Sequence, residues 1–394
     1  MGLSAKDGSD ITVGPKRGAS SSRIFAAFAL SLAFFAVDHL VLARRTAGVV
    51  RQMAEASRLM EKAEAALRAC REERGLEIDS SSDVNRTGLI GLRSSLITTS
   101  LGSLPAKRTA ADPNMAGLLI YLLTEAGVRR GDAVAVGASG SFPGLIVAVL
   151  SAARALELRP LVICSLGASM WGANDPDFHC LDIMSCLRRV GLVEEPLLAL
   201  SLGGGRDVGE GMEPKGRELL AAAAAASGLP VLDETDLAKN VSQRMSLYMK
   251  AAEGKPIKAF INIGGSWANM GTDEAILDVE PGLSRVEHIP EPENRGVLQE
   301  MASRRIPVIH CLHLAGLVRR FGMAWDPVPL SRMENSRLFH RVRDRNPAFF
   351  LATGLYVLLL TAVFVFPLRS TGGAAFISSA PLPPGRRETP GRGG

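Results

Sequence analysis

Short apolar runs alternate with helix-patterned segments from residue 114 to residue 310, and this alternation limits the chain more than any other feature. Helical pattern covers 114–126, with Gly127 as a stop, then about 143–157, opened by Pro143. It continues over 177–189 with Asp177 as cap, then 214–227, 235–252 and around 293–303. Between these lie strand-like runs at 132–136, 160–166, 197–202, 230–232, 257–263 and 306–310. Continuous apolar strands separated by helices are what a parallel sheet covered on both faces requires. The expected fold is therefore α/β and Rossmann-like, a mostly parallel sheet with helices on both faces.

Two long apolar stretches flank this body. Residues 24–43 (IFAAFALSLAFFAVDHLVLA) and 348–368 (AFFLATGLYVLLLTAVFVFPL) each have the length of a membrane-spanning helix. Asp38 and His39 sit near the end of the first, and the second carries no charge. The expected order is a basic tail (1–23), a transmembrane helix (24–43), an amphipathic stalk helix (44–74) and the α/β body (75–331). An Arg-rich juxtamembrane segment (332–347), a second transmembrane helix (348–368) and a disordered Pro/Gly/Arg tail (369–394) follow. Such a chain is expected in a cell membrane as a two-pass protein with both tails on one side. Flanking Lys and Arg number nine on the body side and six on the tail side, which leans towards a cytoplasmic body. A body of this length can be translocated regardless of charge, so its side stays open.

The net charge of +5 is carried by the tails, +2 over 1–23 and +3 over 369–394, while 24–368 balances at 37 against 37. A chain basic only in its tails is not a nucleic-acid binder by composition. Five cysteines with no CxxC give no disulfide framework, and Cys164 and Cys311 stand in or beside apolar runs. On the stalk, Met53, Met60 and Leu67 recur every seven residues with Ala56, Ala63 and Cys70 beside them. That seam packs either on the body or on a second copy as a homodimer through 46–74.

In a parallel sheet the working residues lie beyond the carboxyl ends of the strands. Four glycine loops fall there. They hold Gly137, Ser139, Gly140 and Ser141; Ser169, Trp171, Asn174 and Asp175; Gly203, Gly204, Gly205 and Asp207; and Gly264, Gly265, Trp267 and Asn269. Glycine admits a ligand close to the backbone, and N–H groups at the following helix starts favour an anion. Lys107 and Arg108 are candidates to meet a substrate carboxylate. No Gly-Lys-Ser/Thr occurs, and 203–209 lacks the last glycine of a dinucleotide fingerprint, so no nucleotide cofactor is expected. His310, Cys311 and His313 lack a metal-binding spacing, and no metal is expected. A nucleophilic reading takes Ser141 or Ser139 as nucleophile, His310 as base and Asp175 or Asp207 as its orienting carboxylate.

The loops resemble one known family, the poly-gamma-glutamate system proteins that accompany bacterial poly-gamma-glutamate synthesis. The resemblance lies in Asn85-Arg-Thr-Gly-Leu-Ile-Gly, Ile97-Thr-Thr-Ser-Leu-Gly-Ser-Leu-Pro-Ala-Lys107-Arg-Thr and Ser139-Gly-Ser-Phe-Pro. It continues in Ser169-Met-Trp-Gly-Ala-Asn-Asp-Pro-Asp, Ser201-Leu-Gly-Gly-Gly-Arg-Asp, Asn262-Ile-Gly-Gly-Ser-Trp-Ala-Asn and Trp325-Asp-Pro-Val-Pro. It implies a membrane-anchored accessory factor in making or exporting the polymer, a capsule component, with the polymer or another glutamate-containing substrate, the synthase's membrane components and the lipid bilayer as partners. A gamma-glutamyl hydrolase or transferase and a dimeric scaffold for the synthase are the alternatives. The resemblance brings no catalytic residue assignments.

Overall fold

A computed structural model describes residues 21–37, 43–194, 197–344 and 347–365. The expected tails, apart from residues 21–23, and the far ends of both apolar stretches lie outside the described residues. The chain divides into two units, one holding the terminal helices and the other running from Val41 to Asn346.

In chain order the elements are α1 (Ser21–Val37), α2 (Ala43–Glu73), α3 (Leu104–Ala110), α4 (Asn114–Glu125), β1 (Ala133–Ser139), α5 (Pro143–Leu156) and β2 (Arg159–Ser165). Next come β3 (Asn174–Asp175), β4 (Phe178–His179), α6 (Cys180–Arg189), β5 (Ala199–Ser201), α7 (Pro214–Ala226), β6 (Val231–Leu232) and α8 (Leu237–Ala251). The remainder are β7 (Ile257–Ile263), α9 (Trp267–Met270), β8 (Gly282–Ser284), α10 (Val297–Ser303), β9 (Val308–Cys311), α11 (Leu314–Phe321), α12 (Arg337–Asp344) and α13 (Pro347–Val365).

Seven strands form one sheet in the order β6-β5-β2-β1-β7-β9-β8, parallel except for the edge strand β8, which runs antiparallel to β9. Alternation along the strands builds a core on each face. Val134, Val136 and Ala138 of β1 face one cluster with Val162 and Cys164 of β2, while Ala133, Ala135, Leu161 and Ile163 face the other. The first cluster is closed by α2, α4, α5 and α6, the second by α8 and α10. The α/β, mostly parallel architecture read from the sequence is thus the fold. The chain leaves β1 towards β2 on one side and reaches β7 on the other, so a crevice opens between β1 and β7 at their carboxyl ends.

Several local expectations change. The helix expected from Asp177 begins at Cys180, capped by His179, because 174–179 pairs as a two-stranded hairpin. The short elements α3, α9, β8 and α11 add to those expected from the sequence. The 46–74 seam is not a free stalk face. Met53, Ala56, Met60, Ala63, Leu67 and Cys70 are all buried in the body's own core, the first of the two packings expected for it. Leu338 of α12 joins the same core, so part of the Arg-rich segment is a helix docked on the body. Cys70 and Cys186 form a disulfide that fastens α2 to α6, a single cross-link among cysteines expected to make no disulfide framework. Their separation of 116 residues gave no local pattern to detect.

In the terminal unit, α1 and α13 pack together through Phe34 on Tyr356, with ring centroids 4.5 Å apart, and through a Ser31–Tyr356 hydroxyl contact of 2.9 Å. Phe25, Phe28, Leu32, Leu351 and Leu358 remain exposed on the pair. Among the described residues no helix is long and apolar enough to cross a membrane, so the two expected spans gain no support from the helices.

Candidate functional site

A cleft of about 600 Å³ opens at the carboxyl ends of β1, β2, β5, β7 and β9. Its walls come from residues 99–107, the loops after β1, β2 and β5, the Gly265–Trp267 loop, the start of α11 and Trp325. The lining is mostly neutral and rich in hydroxyls.

Lys107 is the organising side chain. Ser103 caps α3 by accepting from the Ala106 N–H, and Pro105 stands in the first turn, which points Lys107 into the fold. Lys107 is only 3% exposed. Its Nζ donates to the Ser141 carbonyl at 2.5 Å, lies 2.8 Å from Ser169 Oγ, and sits 3.6 Å from the centroid of the Phe142 ring. No carboxylate lies within ion-pair distance of it among the described residues. With no counter-charge to offset desolvation, burial lowers its pKa from the ordinary 10.5 to about 7.

The serine loops are locked to one another around that amine. The Ser141 N–H donates to Ser139 Oγ at 3.2 Å, and the Ser169 N–H donates to Ser141 Oγ at 3.0 Å. The loops approach so closely that only glycine fits at their contact. A Cβ on Gly140 would lie 2.6 Å from the Leu166 carbonyl oxygen, and one on Gly172 2.9 Å from Gly140 O. Backbone cannot yield as a flexible side chain can. Gly140→Ala is expected to lower stability by about 1–3 kcal/mol through overpacking and to disturb the cleft. A thermal melt indistinguishable from that of the parent would contradict this.

Asp207 reaches the cleft floor from the loop after β5. Its carboxylate forms an ion pair with Arg244 of α8 and accepts from Ser165 Oγ at 3.1 Å and Ser201 Oγ at 2.9 Å. Arg244 is fully buried and also donates to Asn240 Oδ1 at 2.8 Å. Asp207 is therefore a structural anion that pins the glycine loop Gly203–Gly205.

The expected site residues divide accordingly. Lys107, Ser139, Ser141, Gly203, Gly204, Gly205, Asp207, Gly265 and Trp267 line the one cleft. The Ser-His-Asp arrangement does not form. His310 is buried and shares a 3.0 Å hydrogen bond with Asn262, and no hydrogen bond joins it to either serine among the described residues. Burial takes its pKa down to about 4, so it stays neutral there. Asp175 forms an ion pair with Arg71 at 3.2 Å and has no contact with His310. Arg108 is held by Asp326 and is not free to meet a substrate carboxylate. Asn174 braces the 92–98 segment through Leu92 O and Thr98 Oγ1, and Trp171 packs against the core at a positive φ of 58°. Gly137, Gly140, Gly264 and Asn269 stand behind the lining, where the Asn269 amide fills the space that a Cβ on Gly137 would need. Sequence reasoning passed over Ser169 as a reactive group, along with Thr99, Ser100, Ser103, His313 and Trp325. The clue present was Ser169 itself, a hydroxyl in a glycine loop directly after a strand.

No family model matches the chain, and neither a curated protein nor a solved structure does.

Proposed function

We propose that this chain is a membrane-anchored accessory protein of poly-gamma-glutamate synthesis or export, and that its cleft holds a stretch of the gamma-glutamyl polymer. One observation carries the reading. The segments on which the resemblance rests are scattered over residues 85–329, yet most of them meet in the same cleft. Each of these strings contributes to its lining: Thr99 and Lys107, Ser139 and Ser141, Ser169, Gly203 and Asp207, Gly265 and Trp267, and Trp325. The remaining strings brace it: Asn85 donates to Pro327 O at 2.8 Å, and Asp326 pairs with Arg108. A cleft of this volume suits an extended oligomer of a few residues rather than a single ion. Hydroxyls and a lone amine suit the amides and carboxylates of that backbone, with Trp267 and Trp325 against its methylenes. The exposed apolar side chains on α1 and α13 favour a lipid environment for the terminal unit.

The test is co-sedimentation of the full chain in detergent micelles with poly-gamma-glutamate. Retention of the polymer, weakened at least about tenfold by Trp267→Ala (roughly 1.4 kcal/mol), is expected. Equal retention of poly-alpha-glutamate, or none of either polymer, would remove the reading.

A further inference from the structure

The geometry points to a serine–lysine acyl-transfer centre in the cleft, with Ser169 as nucleophile, Lys107 as general base, and the amide of a gamma-glutamyl linkage as the acyl donor. The choice of substrate rests on the function proposed above; the dyad itself does not.

Three features carry the assignment. Ser169 Oγ and Lys107 Nζ are 2.8 Å apart, within reach of direct proton transfer. Both side chains line the cleft, so a bound amide can approach the hydroxyl. The amine is dry and faces no carboxylate, the surroundings in which a lysine serves as a base rather than as a cation. The other charged or titratable groups of the cleft are otherwise placed: Asp207 is tied to Arg244, and His313 stands at the start of α11. Arg108, next in sequence, is tied to Asp326. A neutral amine has two N–H bonds and one lone pair. One N–H serves the Ser141 carbonyl, and the lone pair is left for the Ser169 hydroxyl proton. The Ser169 backbone is held in turn by Ser141 Oγ, which makes Ser141 a positioning residue.

The step balances without any cofactor. Ser169 Oγ attacks the amide carbonyl carbon while its proton passes to Lys107 Nζ. The C–N bond then breaks, the ammonium returns that proton to the departing amine, and the acyl group remains as an ester on Ser169. Water, or the amino end of another chain, attacks the ester and gives its proton to Nζ. The ester C–O bond breaks and Ser169 Oγ recovers the proton. With water the polymer is shortened; with an amine it is joined to a new chain.

The test uses the full chain in detergent micelles and a fluorophosphonate probe, with adducts located by peptide mass spectrometry between pH 5.5 and 9. The expected result is an adduct on Ser169 whose rate rises about tenfold per pH unit up to about pH 7 and then levels, as the amine loses its proton. Ser169→Ala abolishes the adduct, Ser141→Ala slows it without moving it from Ser169, and Lys107→Met slows it at least a hundredfold while tryptophan fluorescence reports a folded body. No adduct on Ser169 of the folded parent at any pH overturns the proposal. So does an adduct on Ser141, or unchanged labelling in folded Lys107→Met. Poly-gamma-glutamate length, followed by size-exclusion chromatography, separates the two layers of the inference. Shortening that vanishes in Ser169→Ala establishes both. A Ser169 adduct with polymer length unchanged keeps the dyad and removes the polymer as its substrate.

Discussion

Replacing Arg244 with methionine is expected to cost the body about 3–5 kcal/mol, the largest single-residue loss foreseen in this chain. Arg244 is fully buried, and Asp207 is 1% exposed. Removing the guanidinium leaves an almost fully buried carboxylate with the Ser165 and Ser201 hydroxyls but no cation. Such a group must either remain charged without a counter-ion or take up a proton, and each course is unfavourable. The exposed pair Arg130–Glu157 provides the comparison, since Arg130→Met should change stability by less than about 0.5 kcal/mol. Urea unfolding followed by tryptophan fluorescence reads both variants, because all three tryptophans, Trp171, Trp267 and Trp325, lie in the body. Adding Asp207→Asn to Arg244→Met should recover part of the loss, since the unpaired charge is then gone. An Arg244→Met body within 1 kcal/mol of the parent would mean that the pair does not anchor the loop after β5.

What the sequence reveals about this fold follows from where each signal is stored. Strands β1, β2 and β7 are buried on both faces and read as continuous apolar runs, and Pro143 and Pro214 mark the starts of α5 and α7. Those signals are local, so the parallel sheet is legible. The two-residue strands of the 174–179 hairpin and the antiparallel β8 depend on neighbours distant in sequence, and no periodicity announces them. The heptad seam of α2 is real, but a seam does not name its partner, which is the body's own α4 and α5. The cleft was legible for the same reason as the sheet, since loops after parallel strands must gather at one edge. The roles within it were not. Histidine near a strand end suggests a base, yet His310 lies under the sheet edge bonded to Asn262, and the amine beside a serine comes from α3, more than sixty residues before Ser169. Only the packing that strips Lys107 of water distinguishes it from an ordinary surface lysine.

Reduction of the Cys70–Cys186 disulfide is expected to be the second large effect, and it bears on where the body resides. The bond closes a loop of 116 residues, for which chain-entropy arguments give a stabilisation of about 5 kcal/mol. Urea midpoints of the full chain with and without reductant should therefore differ strongly, whereas Cys311→Ser, which touches no disulfide, should not respond differently to reductant from the parent. Equal midpoints would show that the cross-link does not hold α2 against α6. Such a bond persists in oxidising compartments and is rare where thiols are kept reduced. It weighs for a body in an oxidising compartment, against the lean of the flanking Lys and Arg, since long segments are translocated regardless of charge. Trapping thiols in intact cells with a membrane-permeant alkylating agent decides the matter. An outward body leaves Cys70 and Cys186 unlabelled until reductant is added, while labelling of both without reduction places the body among reduced proteins.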